Sequence, residues 1–291
     1  MEVLINKLGF IFNVIVGMNN KALGKYIELE IDPSMPNVLF LYLGSKEIFH
    51  YSYDLITEIW SATTEIKNII LTKNIEYVVI RSLNNVVWNM GGDLEFFLEC
   101  QKNSKIDLLE DYAYKCIEFV YQVNLSFETD AKIISLIEGN AYGGGFECAL
   151  STGYIISEDQ VKFSFPEVLF STFPGMGAYS FLTRRIGYKK AHEIVMSGKK
   201  WTATDMYNLG VADHLVKRGE GLAHIKSMID NHEMHESDIE KICKRVSLNE
   251  LKDIVTIWVN SVLDMKDEDI RLISKIIENQ KRASQAALQN T

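Results

Sequence analysis

Residues 137–167 read IEGNAYGGGFECALSTGYIISEDQVKFSFPE, and this stretch decides the fold. A strand-like run, Lys132-Ile133-Ile134-Ser135-Leu136-Ile137, leads into it. Three consecutive glycines follow, Gly143 to Gly145, and then a short helical pattern from Phe146 to Leu150. Glycines here let the backbone approach a ligand closely, because no Cβ stands in the way. Their amides, placed at a helix start, aim the positive end of the helix dipole at whatever binds. Glu147 lies on that helix, and Glu167 follows Pro166 in a loop 20 residues later. Taken alone, either residue reads as an ordinary solvated glutamate. Taken together, they can converge on one reacting carbon as an acid/base pair.

Outward from this stretch, Asn37–Leu43 is a short apolar run between Pro36 and Gly44 and predicts a buried strand. From Tyr53 to Ile70, apolar residues recur at helical spacing (Leu55, Ile56, Ile59, Trp60, Ile66, Ile69), which predicts an amphipathic helix. Glu76–Ser82 reads as the next strand and 82–93 as a loop holding Gly91-Gly92. Asp93 is a good N-cap for a helix through Leu98. Asp107–Val123 reads as a longer helix with Leu108, Leu109, Tyr112, Cys116, Phe119 and Val120 on one face. A strand at Tyr154–Ser157 follows. Alternation of this kind argues for an α/β core rich in parallel strands. Beyond Tyr179 the pattern is mostly helical, with one strand-like run at His214–Val216.

At 291 residues the chain is long enough for a large core. Its net charge of −9 argues against a nucleic-acid partner, which calls for a basic field. Cys100, Cys116, Cys148 and Cys243 show no CxxC spacing and read as reduced thiols, which suits a cytoplasmic protein. Leu8–Met18 is apolar, but its flanks lack a basic region and a small-residue cleavage site, so a packing or capping segment is expected there. It is also shorter than the roughly 20 residues that span a bilayer, and no stable membrane insertion is expected.

Gly143-Gly144-Gly145-Phe146-Glu147, Pro166-Glu167 and the earlier Met90-Gly91-Gly92-Asp93 together resemble the crotonase (enoyl-CoA hydratase/isomerase) superfamily. Within it, Phe173-Pro174-Gly175-Met176-Gly177-Ala178-Tyr179-Ser180-Phe181 and Ile257-Trp258-Val259 are similar to the diffusible-signal-factor synthases of bacterial quorum sensing. The resemblance implies an α/β fold, a spiral of repeated ββα units with a C-terminal helical region. It divides the chain into an N-terminal extension (1–25), a spiral core with the active site (26–190) and a mainly helical part (191–291) that covers the pocket and makes oligomer contacts. It also implies that the amides of Gly92 and Gly144 hold a thioester oxygen, with Glu147 and Glu167 as catalytic acid and base. Gly91, Gly143, Met176, Trp258 and Ile276 would belong to the substrate pocket.

The implied reaction dehydrates a 3-hydroxyacyl thioester on acyl carrier protein to the cis-2-enoyl form and hydrolyses it to a free fatty acid. No metal or other cofactor is expected beyond the phosphopantetheine or CoA that carries the acyl chain. A sensor-kinase receiver domain as partner and a homo-oligomer, trimer or dimer, are implied by the resemblance alone. A carrier protein needs a basic patch to dock on; Arg184-Arg185, Lys189-Lys190 and Lys199-Lys200 are the candidates.

Three other readings compete. A catabolic enoyl-CoA hydratase keeps the fold but takes CoA thioesters. A non-enzymatic interaction module keeps the fold without the chemistry, and the two retained glutamates argue against it. Nucleotide binding lacks GxxxxGK[ST], and GNAYGGG does not fit GxGxxG. A separate thioesterase set is also missing, since there is no GxSxG and the six histidines are scattered, with His232 and His235 in a polar stretch.

Overall fold

A computed structural model describes residues 20–45, 49–84, 87–235 and 237–289; the segment Leu8–Met18 lies outside them. The chain runs through β1 (Asn20–Ala22), β2 (Ile27–Glu30), β3 (Val38–Leu43), α1 (Tyr53–Thr72), β4 (Tyr77–Ser82) and β5 (Val87–Asn89). Then come α2 (Leu94–Lys102), α3 (Ile106–Asn124), β6 (Lys132–Ile137), β7 (Asn140–Tyr142), α4 (Gly144–Leu150), β8 (Tyr154–Glu158) and β9 (Lys162–Ser164). A tight helical turn, Pro166–Phe170, precedes α5 (Ala178–Ile186), α6 (Tyr188–Ser197), β10 (Trp201–Thr202), α7 (Ala203–Asn208) and β11 (His214–Val216). The chain ends in α8 (Gly221–Asp230), α9 (Asp238–Lys244), α10 (Leu248–Leu263) and α11 (Asp267–Gln289).

Seven strands form one sheet in the order β1-β2-β3-β4-β6-β8-β11, and four form another in the order β10-β9-β7-β5. From β3 to β11 the large sheet is parallel. Its central strands are near-continuous apolar runs because both faces are covered. Alternate residues point to opposite faces, so Val38, Phe40, Val79, Ile134 and Ile156 pack with Ile225 and Met228 of α8. Leu39, Leu41, Val78, Ile80 and Ile133 enter the main core instead, with Leu55 and Ile59 of α1 and Phe119 of α3. The expected α/β spiral is present: the chain alternates between the sheets, β4 then β5, β6 then β7, β8 then β9, with helices after each pair. β10 and β11, beyond residue 190, still join the two sheets.

Two local expectations change. The segment 82–93 contains the strand β5, three residues long, whose pairing partner β7 is distant in sequence. Trp60, expected on the buried face of α1, is 46% exposed, and its indole N–H donates to Glu118. An amphipathic indole can lie across a surface with its polar edge satisfied. Among the described residues no helix is long and apolar enough to cross a membrane.

Candidate active site

The small sheet builds the site. β5, β7 and β9 run parallel, so their C-terminal ends lie side by side. Each end opens into one of the loops singled out in the sequence: β5 into Gly91-Gly92, β7 into Gly143-Gly144, β9 into Pro166-Glu167. Three motifs separated by dozens of residues therefore meet at one edge.

Two glycines are required by backbone shape. Gly91 has φ +91 and is held by Asn89, whose Oδ1 accepts from the Gly91 amide at 2.7 Å. A Cβ on Gly91 would stand 3.0 Å from the Gly144 nitrogen, which shows how closely the two loops approach. Gly143 has φ +50, and a Cβ there would run into Oε1 of Glu167. Among the described residues, the amides of Gly92 and Gly144 donate to no protein acceptor. Gly144 opens α4, where N–H groups have no intrahelical partner. These two donors are available to a bound oxygen.

Glu147 sits in the first turn of α4 and is 1% exposed. Its Oε1 accepts from the amides of Met176 at 2.7 Å and Ala178 at 2.9 Å. Burial, and then the facing Glu167 charge, push its carboxyl up to about 8 against those amides. Glu167 lies in the turn after β9; its carboxyl is enclosed, and its Oε2 has no hydrogen-bond partner. Burial pushes it up to about 7. Two such carboxylates cannot both ionise cheaply, so near neutrality they share one proton. This is the arrangement in which one group can give a proton while the other takes one.

Between the loops lies a cleft of about 750 Å³, counted to its open mouth. Gly92, Gly144, Glu147, Glu167, Met176, Trp258 and Ile276 all line it, so the expected residues converge. Gly91 and Gly143, expected in the wall, stand one residue behind it, because their conformations turn the loops rather than face the cleft. The cleft's far side is apolar. Phe97 and Trp258 meet edge to face with ring centres 5.1 Å apart, and Val262, Met265 and Ile273 extend the wall.

The segment Phe173–Phe181 does two jobs here. Its amides hold Glu147, and its Gly175 lies flat beneath Trp258, where a Cβ would come 2.5 Å from the indole Cδ1. By its sequence spacing alone, Tyr112 is a helix-face residue. It lines the cleft and donates from its hydroxyl to the Tyr51 carbonyl at 2.7 Å, while the Tyr51 amide donates to Gly91 O at 2.8 Å. A polar handle on an otherwise apolar face was the available signal. The proposed basic patch is partly spent: Arg184 pairs with Glu250, and Arg185 with Asp213 and the Thr152 carbonyl. Cys100, Cys116 and Cys148 are buried free thiols, Cys243 an exposed one, and His232 and His235 are exposed.

The enoyl-CoA hydratase/isomerase family model matches residues 51–244. An enoyl-CoA isomerase/hydratase of Mycosarcoma maydis is 31% identical over 139 residues, covering 47% of this chain and 48% of that protein. A carnitinyl-CoA dehydratase of Proteus mirabilis is 30% identical over 104 residues, covering 36% of this chain and 40% of that protein. The chain thus spans about half or less of the curated relatives it matches. An enoyl-CoA hydratase from Bacillus halodurans, at 21% identity and TM-score 0.71, covers 87% of this chain and 100% of its own, a likeness of fold.

Proposed function

The chain belongs to the enoyl-CoA hydratase/isomerase family, and on that premise we propose that it dehydrates a 3-hydroxyacyl thioester on acyl carrier protein to the cis-2-enoyl form and then hydrolyses the thioester. The observation that carries the dehydration step is the enclosed pair Glu147 and Glu167 with both carboxyls pushed up. Glu167 takes the α-proton, the Cβ–O bond breaks, and Glu147 gives its proton to the departing hydroxyl, which leaves as water. Charge moving onto the thioester oxygen is held by the Gly92 and Gly144 amides, donors often worth about 3 kcal/mol each in barrier height. Hydrolysis adds water to the same carbonyl and expels the carrier thiol, with a glutamate directing the water. The free acid product would be a cis-2-unsaturated fatty acid serving as a quorum-sensing signal.

The carrier protein, the cis geometry and the hydrolysis rest on the resemblance of Phe173–Phe181 and Ile257–Val259 to the signal synthases. The same pair run in reverse, with the proton starting on Glu167, would hydrate an enoyl-CoA. Relatives named for reactions of CoA thioesters favour that second reading. Mass spectrometry decides between them. Release of free 2-dodecenoic acid from the 3-hydroxydodecanoyl carrier protein, with slow turnover of crotonyl-CoA, is expected. Rapid hydration of crotonyl-CoA without free acid from the carrier protein would leave the catabolic reading.

A further inference from the structure

The turn that carries Glu167 is anchored from outside the sheet. Ser171 closes it, taking a left-handed conformation (φ 59, ψ 22) in which its amide donates back to the Glu167 carbonyl. The Ser171 hydroxyl donates at 2.8 Å to Oδ1 of Asp269. Asp269 lies in the first turn of α11 and is 8% exposed. Its Oδ2 accepts from the Lys266 amide at 3.0 Å, so both carboxylate oxygens are engaged and the side chain has one orientation. Asp269, Ile273 and Ile276 follow at i, i+4 and i+7, one face of the helix, and Ile273 and Ile276 line the apolar end of the cleft. One helical face thus grips the Glu167 turn and walls the cleft.

We propose that Asp269 is a positioning residue: through Ser171 it seats the Glu167 turn, so the helix closing the apolar end also sets where the proton-transfer carboxyl stands. This inference rests on the acid/base reading of Glu167. The bond serves more than the stability of α11, because its donor lies in the turn itself and the helix start is already capped by the other oxygen. A displacement of about 1 Å at a reacting group can cost up to about a hundredfold in rate. Losing one hydrogen bond to a turn still held by its backbone should cost less.

Ser171→Gly largely separates position from stability, since glycine adopts φ near +59 without strain, which offsets part of the lost hydrogen bond and should limit the fall in Tm to a few degrees. Both thioesters named above are assayed. Ser171→Gly is expected to lower kcat about tenfold with KM within about twofold. The acid limb of its pH profile should move to lower pH, because a loosened Glu167, still facing Glu147, gains water. Asp269→Asn keeps one acceptor and should fall between wild type and Asp269→Ala. Wild-type kcat in Ser171→Gly, or a loss of kcat matched by a loss of Tm, would overturn the proposal. Glu167→Gln is the control: if it retains turnover, the acid/base reading itself fails. If it is inactive while Ser171→Gly is normal, only the latch fails.

Discussion

Glu147 and Glu167 face each other from different surroundings. Glu147 has two backbone amides on one oxygen and is still pushed up to about 8, whereas Glu167 has an enclosed oxygen with no donor and is pushed up to about 7. The proposed dehydration needs one proton on the pair, so turnover should be bell-shaped in pH, falling below about 7 as Glu167 is protonated and above about 8 as Glu147 loses its proton. A profile flat from pH 5 to 9 would contradict a shared proton. Glu147→Gln and Glu167→Gln should each lower kcat by at least about a hundredfold while the circular dichroism spectrum stays native. Both residues stand out in sequence as the glutamates of the GGG-x-E and PE motifs, which are local patterns. Asp269 was not, since an aspartate in the run Asp267-Glu268-Asp269 looks like any acidic first turn.

Elements hold these groups by capping and packing. Asp93 caps α2 through the Phe96 amide at 3.1 Å, directly after the Gly92 donor, and the sequence announced it. Asp93→Ala should cost about 1 kcal/mol in chemical denaturation. It should also lower kcat, because the helix start is continuous with the Gly91-Gly92 loop whose amide is proposed to hold the thioester oxygen; an unchanged midpoint would show the cap to be dispensable. Trp258 joins α10 to α2 through Phe97 and covers Gly175. Trp258→Ala should destabilise by about 3–5 kcal/mol. It should also weaken any preference for long acyl chains over crotonyl thioesters, measured as a ratio of kcat/KM. The strands β5, β7 and β9 escaped or blurred in sequence because three-residue strands carry too little periodicity to read.

Across the whole molecule, the enclosed glutamates make stability depend on pH. Their folded values lie above the ordinary 4.5, so the folded state binds more protons than the unfolded one between about 4.5 and about 8. Their contribution therefore falls as pH rises through that window. Glu167→Gln removes its share, and its Tm advantage over wild type should grow from pH 5 to pH 8; a constant difference would argue that Glu167 is hydrated. The α/β class, the longer strands and helices, the glycine turns and the two glutamate motifs were determined by the sequence itself, because each rests on neighbours within a few residues. Which strands lie side by side, which oxygen of which carboxylate is satisfied, and that Asp269 of α11 grips the Glu167 turn through Ser171 were decided only by tertiary structure. Those relations join residues up to about a hundred positions apart, and burial, which sets their chemistry, exists only once the sheets and helices have packed.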